Sequence, residues 1–139
     1  ILSHRTGMET FAGDLLWTES NLDTKSLLTK WAKIKPAFAI RSRFGYSNFG
    51  YMAAGEVIRS VTKKPWQTFI QEELLKPLHM SHSFLYTDDV KKYKDVAIGY
   101  TIEKDSIKQI PDGTGVLQAF GGMYSNVNDI AKWLIMHAN

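Results

Sequence analysis

Apolar residues recur at spacings of three and four along four stretches of this chain, and each stretch is bounded by residues that start or stop helices. From Asp23 to Lys33, Leu27, Leu28 and Trp31 share one side with Ile34 just beyond. Asp23 or Thr24 can cap the first turn, and Pro36 stops the segment. Ser47 precedes a longer stretch through Thr62 on which Phe49, Ala53, Val57 and Val61 mark one face, with Ala54 and Ile58 beside it. Pro65 sits where a first helical turn tolerates it, and Trp66, Phe69, Ile70 and Leu74 follow until Pro77 ends the run. The last stretch starts at Ser125, a favourable N-cap, and carries Val127, Ile130, Ala131, Leu134 and Ala138. Residues 97–102 and 106–110 flank Glu103-Lys104-Asp105 in a hairpin pattern, and Ile1 to Ser20 reads as loop with one short turn. The pattern predicts a mainly α fold with a small β-hairpin.

A length of 139 residues with 44% hydrophobic side chains is enough for one core, so residues 1–139 are expected to form a single domain. The formal charge of +3 is spread among acids, which is no footprint for nucleic acid, and none is expected as a partner. The absence of cysteine excludes a disulfide framework, thiolate zinc sites and a cysteine nucleophile. No apolar run approaches the roughly 18 residues of a bilayer span, so no membrane span is expected.

The residues most suited to chemistry are Tyr46, Ser47 and Asn48, which stand directly before the longest helical pattern. A helix N-terminus gathers free backbone N–H donors and a dipole that favours anions, a setting suited to catalytic groups. The same tripeptide also reads as plain architecture, with Ser47 as the cap, Tyr46 as a staple and Asn48 in the first turn.

Several separated segments together resemble one family. Ile1-Leu2-Ser3-His4-Arg5-Thr6-Gly7-Met8 is similar to its "LLxHxSG" stretch, and Phe44-Gly45-Tyr46-Ser47-Asn48-Phe49-Gly50-Tyr51 to its "FxYSNxGY" motif. Lys76-Pro77-Leu78-His79-Met80 resembles "xPLGM", and Ala119 to Ser125 with Asn128-Asp129 resembles "AGGLxSTxxDMAKW". These are signatures of the serine β-lactamase-like family, which includes class C β-lactamases, D-alanyl-D-alanine carboxypeptidases and penicillin-binding-protein-like esterases. The resemblance implies the helical insert region of a β-lactamase/transpeptidase-like α/β fold, and acyl transfer on a β-lactam, a D-Ala peptide or an ester. It places the general base on Tyr46 and the residue that holds the substrate's amide on Asn48. It implies no cofactor and no metal, a location in the cell envelope, periplasm or outside the cell, and as partners the remainder of a parent hydrolase with a small-molecule or peptidoglycan-like substrate.

A serine hydroxyl needs a base, and a phenol with an ordinary pKa of about 10 serves only beside cations. The family supplies those cations as lysines, one from Ser-x-x-Lys, which also carries the nucleophile, and one from a Lys-Thr-Gly-like strand. Neither segment is found in these 139 residues at its expected place. The chain is therefore expected to be a fragment of a larger serine hydrolase and inactive alone. The rival expectation is a non-catalytic helical binding or dimerisation module, a homo-oligomer held by apolar faces.

Ser60-Val61-Thr62-Lys63 satisfies Ser-x-x-Lys literally, but it closes a helix where the family's nucleophile opens one. His79 and His82, with Asp88 and Asp89 nearby, form a weak metal pattern and read as solvated loop residues. His79 stands where the family has Gly, so a left-handed backbone there is expected to be strained. His4 is expected to hold a loop by hydrogen bonds. In the full-length protein, Ser60→Ala is expected to leave covalent labelling by a fluorescent penicillin intact. Labelling that vanishes in this variant would make Ser60 the nucleophile.

Overall fold

The computed structural model describes residues 1–17, 20–85, 92–110 and 119–138. Two compact units divide the chain: Ile1–Glu72 with Gln118–Gly121, and Glu73–Leu117 with Gly122–Asn139.

In the first unit, a 3-10 turn at Asp14–Leu16 precedes α1 (Thr24–Trp31) and α2 (Asn48–Thr62). Both helices begin as capping chemistry requires. The Asp23 carboxylate accepts from Ser26 N–H at 2.7 Å and Ser47 Oγ accepts from Gly50 N–H at 3.3 Å, each satisfying a donor that has no partner within its helix. The core is built on Leu27, Phe49 and Met52, with Leu16, Trp17, Leu22, Leu28, Trp31 and Phe120 packed around them. Trp31 stacks on Phe49 with ring planes 7° apart, and its indole N–H donates to the Ala12 carbonyl at 3.0 Å.

The buried face of α2 differs from the stripe read in the sequence. Phe49, Gly50, Met52 and Gly55 are buried, whereas Val57 and Val61 are 57% and 76% exposed. Burial concentrates where α1 covers the first half of α2, and at Gly55 the ring of Trp66 and the methyl of Ala119 approach the helix backbone directly. A Cβ at Gly55 would lie 2.8 Å from that methyl, so a side chain there would push the contact apart.

Pro65 precedes α3, which is only Trp66–Ile70 and passes into a π turn at Gln71–Leu75. The wider turn shifts the helical phase by about one residue. Leu75, one position past the expected Leu74, is consequently the fully buried side chain. His79 then takes a left-handed conformation with φ 53°, as expected for a position suited to Gly.

The second unit holds the hairpin and α4 (Val127–Ala138). Strands β1 (Tyr100–Glu103) and β2 (Ser106–Gln109) pair antiparallel with Glu103 opposite Ser106, and Lys104 and Asp105, both at positive φ, close a two-residue turn. The N-cap of α4 is Asn126, not Ser125: Asn126 Oδ1 accepts from Asp129 N–H at 2.9 Å. Ser125 Oγ is engaged elsewhere, 2.8 Å from Ser83 Oγ.

Asp129 is 1% exposed and ties this unit together. Its Oδ2 accepts from His82 N–H at 2.8 Å and from Ser83 Oγ at 3.0 Å, and its Oδ1 meets Lys132 Nζ at 2.8 Å. Lys132 also donates to the His79 carbonyl at 2.5 Å. Burial alone would raise the Asp129 pKa, but the Lys132 ammonium, the His82 N–H and the Ser83 hydroxyl outweigh it and hold the carboxyl below its ordinary 3.8. A depressed folded-state value means that the stabilisation is complete above the unfolded value and is lost as pH falls below about 3.8 through the lower folded value. Asp129→Ala is expected to cost about 1–3 kcal/mol in urea unfolding at pH 7, because the buried Ser83 hydroxyl and the His82 N–H both lose their acceptor. The difference between variant and wild type should shrink as the pH drops below 4. A gap that stays constant down to pH 2 would contradict this account.

Candidate active site

The site is assembled by folding the first dozen residues against the segment that leads into α2. Gly7 begins the clasp: its carbonyl accepts from the N–H groups of Ala37 and Phe38, both at 3.0 Å. Arg5 and Arg41 bond reciprocally, the Arg5 guanidinium donating to the Arg41 carbonyl and Arg41 N–H donating to the Arg5 carbonyl at 3.0 Å. Gly45 N–H then donates to the His4 carbonyl at 2.8 Å, and Phe11 N–H to the Tyr46 carbonyl at 2.9 Å. This close passage requires glycine at position 45, where a Cβ would overlap the carbonyl oxygen of Met8.

His4 is the centre of the clasp. Its backbone is left-handed at φ 54°, a conformation that His tolerates better than most residues, and this turns the ring toward α2. Nδ1 accepts from Ser47 N–H at 3.1 Å, so the ring carries its proton on Nε2. The imidazole stacks on Tyr46 with centroids 4.5 Å apart and 29° between planes. Tyr51 lies 5.4 Å away on centroids, and its hydroxyl donates to the Leu2 carbonyl at 3.0 Å. The expectation that His4 holds a loop by hydrogen bonds is met, and the loop it holds is the one that carries Tyr46 and Asn48.

Tyr46 is half-buried between this imidazole and the edge of Phe11, 5.3 Å away on centroids. The Arg43 guanidinium is turned to the Phe38 ring, 4.2 Å from its centroid. Asn48, the first residue of α2, donates from Nδ2 to Asp14 Oδ2 at 2.6 Å. Asp14 went unnoticed in the sequence, where only the turn-like Gly13-Asp14 pair marked it, because the contact spans 34 residues.

Ser60 and Lys63 do not form a nucleophile pair. Ser60 is exposed near the end of α2, and Lys63 Nζ donates to its carbonyl at 2.7 Å, not to its hydroxyl. His82 Nδ1 lies 3.2 Å from Ser81 Oγ, and Asp88 and Asp89 fall outside the described residues. Among the described residues no group of three or more His, Asp or Glu is arranged to hold a metal.

The Beta-lactamase family profile matches residues 1–139. The chain belongs to the Beta-lactamase family. Among curated members, it is 43% identical over 98 residues to Protein flp of Staphylococcus aureus, covering 69% of this chain and 19% of that protein. It is 28% identical over 145 residues to the Unguisins hydrolase ungD' of Aspergillus campestris, covering 96% of this chain and 26% of that one. The octameric penicillin-binding protein homologue from Pyrococcus abyssi superposes with a TM-score of 0.76 at 29% identity, covering 98% of this chain and 33% of that one. The chain thus spans about a quarter or less of the curated Beta-lactamase relatives named here.

Gly45→Ala is expected to destabilise the protein by about 1–3 kcal/mol, since the backbone must yield to admit the methyl group. Gly121→Ala, where nothing lies within 4 Å of the added Cβ, should change stability by no more than about 0.5 kcal/mol. Equal urea midpoints for the two variants would show that the passage at Met8 is not tight.

Proposed function

We propose that this chain is the helical, Tyr-x-Asn-bearing segment of a serine hydrolase that transfers acyl groups from a β-lactam, a D-Ala peptide or an ester, and that it corresponds to the insert region of the family's α/β fold. Residues 1–139 act in this reading as one part of a larger catalytic domain in the cell envelope or outside the cell. The reading is supported chiefly by the clasp: in a chain of this family, His4 holds Tyr46 by ring stacking while fixing the backbone at Ser47, at the start of a capped helix. Such pre-organisation suits a group that must meet a reacting atom without rearranging.

In the proposed reaction the serine oxygen of the parent attacks the substrate carbonyl. Its proton passes to the Tyr46 oxygen and then to the departing amine or alkoxide. Water adds to the acyl-serine in the second half, giving a proton to Tyr46 as it attacks, and that proton returns to the serine as the acid leaves. Lysines from the rest of the parent keep the Tyr46 oxygen able to accept a proton, and Asn48 holds the substrate's amide.

The tests are turnover of a chromogenic cephalosporin and a p-nitrophenyl ester, and labelling by a fluorescent penicillin. The 139-residue chain alone should do neither. In the full-length protein, Tyr46→Phe should lower kcat by about 10²–10⁴-fold, and a Tyr46→Phe enzyme of undiminished kcat would overturn its role.

A second reading, a helical dimerisation module, is favoured by α4, on which Val127 is 80% and Leu134 55% exposed, and by the octameric assembly of the Pyrococcus homologue. Under this reading the 139-residue chain self-associates in sedimentation. A monomer whose melting temperature does not depend on concentration contradicts it.

A further inference from the structure

The hydrogen bond at the centre of the clasp sets a condition on protonation. Ser47 N–H donates to His4 Nδ1 at 3.1 Å, so that nitrogen must keep its lone pair free. An imidazolium carries a proton on both nitrogens, and no rotation of the ring gives it back an acceptor. The bond and the charged ring exclude one another, in a side chain that takes up protons near neutral pH.

Ser47 has nowhere else to turn. It is 1% exposed, and its hydroxyl already accepts from Gly50 N–H. With His4 charged, the Ser47 N–H would face a second donor at the N-terminal end of α2, whose dipole also disfavours a cation. The His4 main chain is pinned on both sides, its N–H donating to the Ile1 carbonyl at 3.0 Å and its carbonyl accepting from Gly45 N–H at 2.8 Å. The conflict therefore falls on the ring and on the Ser47 backbone.

The surroundings offer the charged ring no carboxylate. Phe44, Tyr46 and Tyr51 bound it, with centroids 5.4, 4.5 and 5.4 Å away. Besides the Tyr46 phenol, the ionisable groups on the segments packed around it are the Tyr51 phenol, which donates to the Leu2 carbonyl, the Arg5 guanidinium, bonded to the Arg41 carbonyl, the Arg43 guanidinium, over the Phe38 ring, and the exposed Glu9 and Arg41. Among the described residues none of these is bonded to the imidazole.

We propose that His4 is a positioning residue that works as a proton switch. The neutral imidazole holds the Ser47 backbone and the Tyr46 ring. A proton taken from water onto Nδ1 breaks the bond from Ser47 N–H and loosens the entry to α2. The consequence for activity rests on the reading of Tyr46 as the proton-transferring group: the hydrolase falls silent on the acid side as His4 becomes charged.

The experiment is an NMR titration of the protein between about pH 4 and 8. It follows the Ser47 amide and the His4 ring, which is identified among the four histidines by its loss in His4→Asn. In the wild type the Ser47 amide should shift with the midpoint of the ring, while the amide of Met52, farther along α2, stays in place. Asparagine tolerates the φ of 54° and carries Oδ1 on Cγ where histidine carries Nδ1, so His4→Asn keeps an acceptor that takes no proton. In this variant the Ser47 amide should not titrate, a result that a merely structural role for His4 would not give. A Ser47 amide that titrates alike in both proteins, or that ignores the ring in the wild type, overturns the proposal. So does a ring that takes up no proton across the range. In the parent hydrolase, the acid limb of kcat/KM for a p-nitrophenyl ester should share the midpoint of the ring and move by at least about one pH unit in His4→Asn. If the amide follows the ring but the limb does not move, the switch stands and the reading of Tyr46 fails instead.

Discussion

A single hydrogen bond across 43 residues, from Ser47 N–H to His4 Nδ1, decides how the start of α2 is presented. Ser47 is 1% exposed, so its N–H has no recourse to water and must find a protein partner. Its hydroxyl is spent on the Gly50 N–H, which leaves the imidazole as the acceptor. The ring that accepts this bond is also the one stacked on Tyr46. Backbone direction at the helix entry and side-chain direction at Tyr46 are therefore set by one residue.

That arrangement depends on backbone conformations that few residue types adopt. His4 and Phe11 both lie at positive φ, and between them the segment passes close enough to Gly45 that no side chain fits. Left-handed residues other than glycine cost stability and persist where surrounding bonds over-determine them. Here those bonds include Gly45 N–H to the His4 carbonyl and Phe11 N–H to the Tyr46 carbonyl. His4 and Phe11, two of the left-handed residues of the first unit, thus flank the ring of Tyr46.

Capping was legible in the sequence because it is local: Asp23 and Ser47 each serve a donor three residues on. Helix faces were less legible, since Val57 and Val61 fit the apolar period yet stay exposed, while Gly55, which no hydrophobicity pattern marks, is where Trp66 and Ala119 approach. At α4 two adjacent residues could cap, and Ser83 decided the matter by engaging Ser125. The phase shift at Gln71–Leu75 has no signal in composition, so burial moved to Leu75 unannounced. Tyr46 and Asn48 were legible through motif resemblance, whereas the contacts that orient them, to His4 and Asp14, join residues far apart in the chain.

Hydrogen exchange at the Ser47 amide, wild type against His4→Phe, tests most directly whether the imidazole governs this site. Phenylalanine keeps an aromatic ring to lie against Tyr46 but cannot accept a hydrogen bond. The account predicts that Ser47 loses its protection in the variant by roughly tenfold or more, while the amide of Met52, farther along α2, exchanges as before. Unchanged protection at Ser47 would contradict it, because the bond to His4 would then not be what holds the entry to α2.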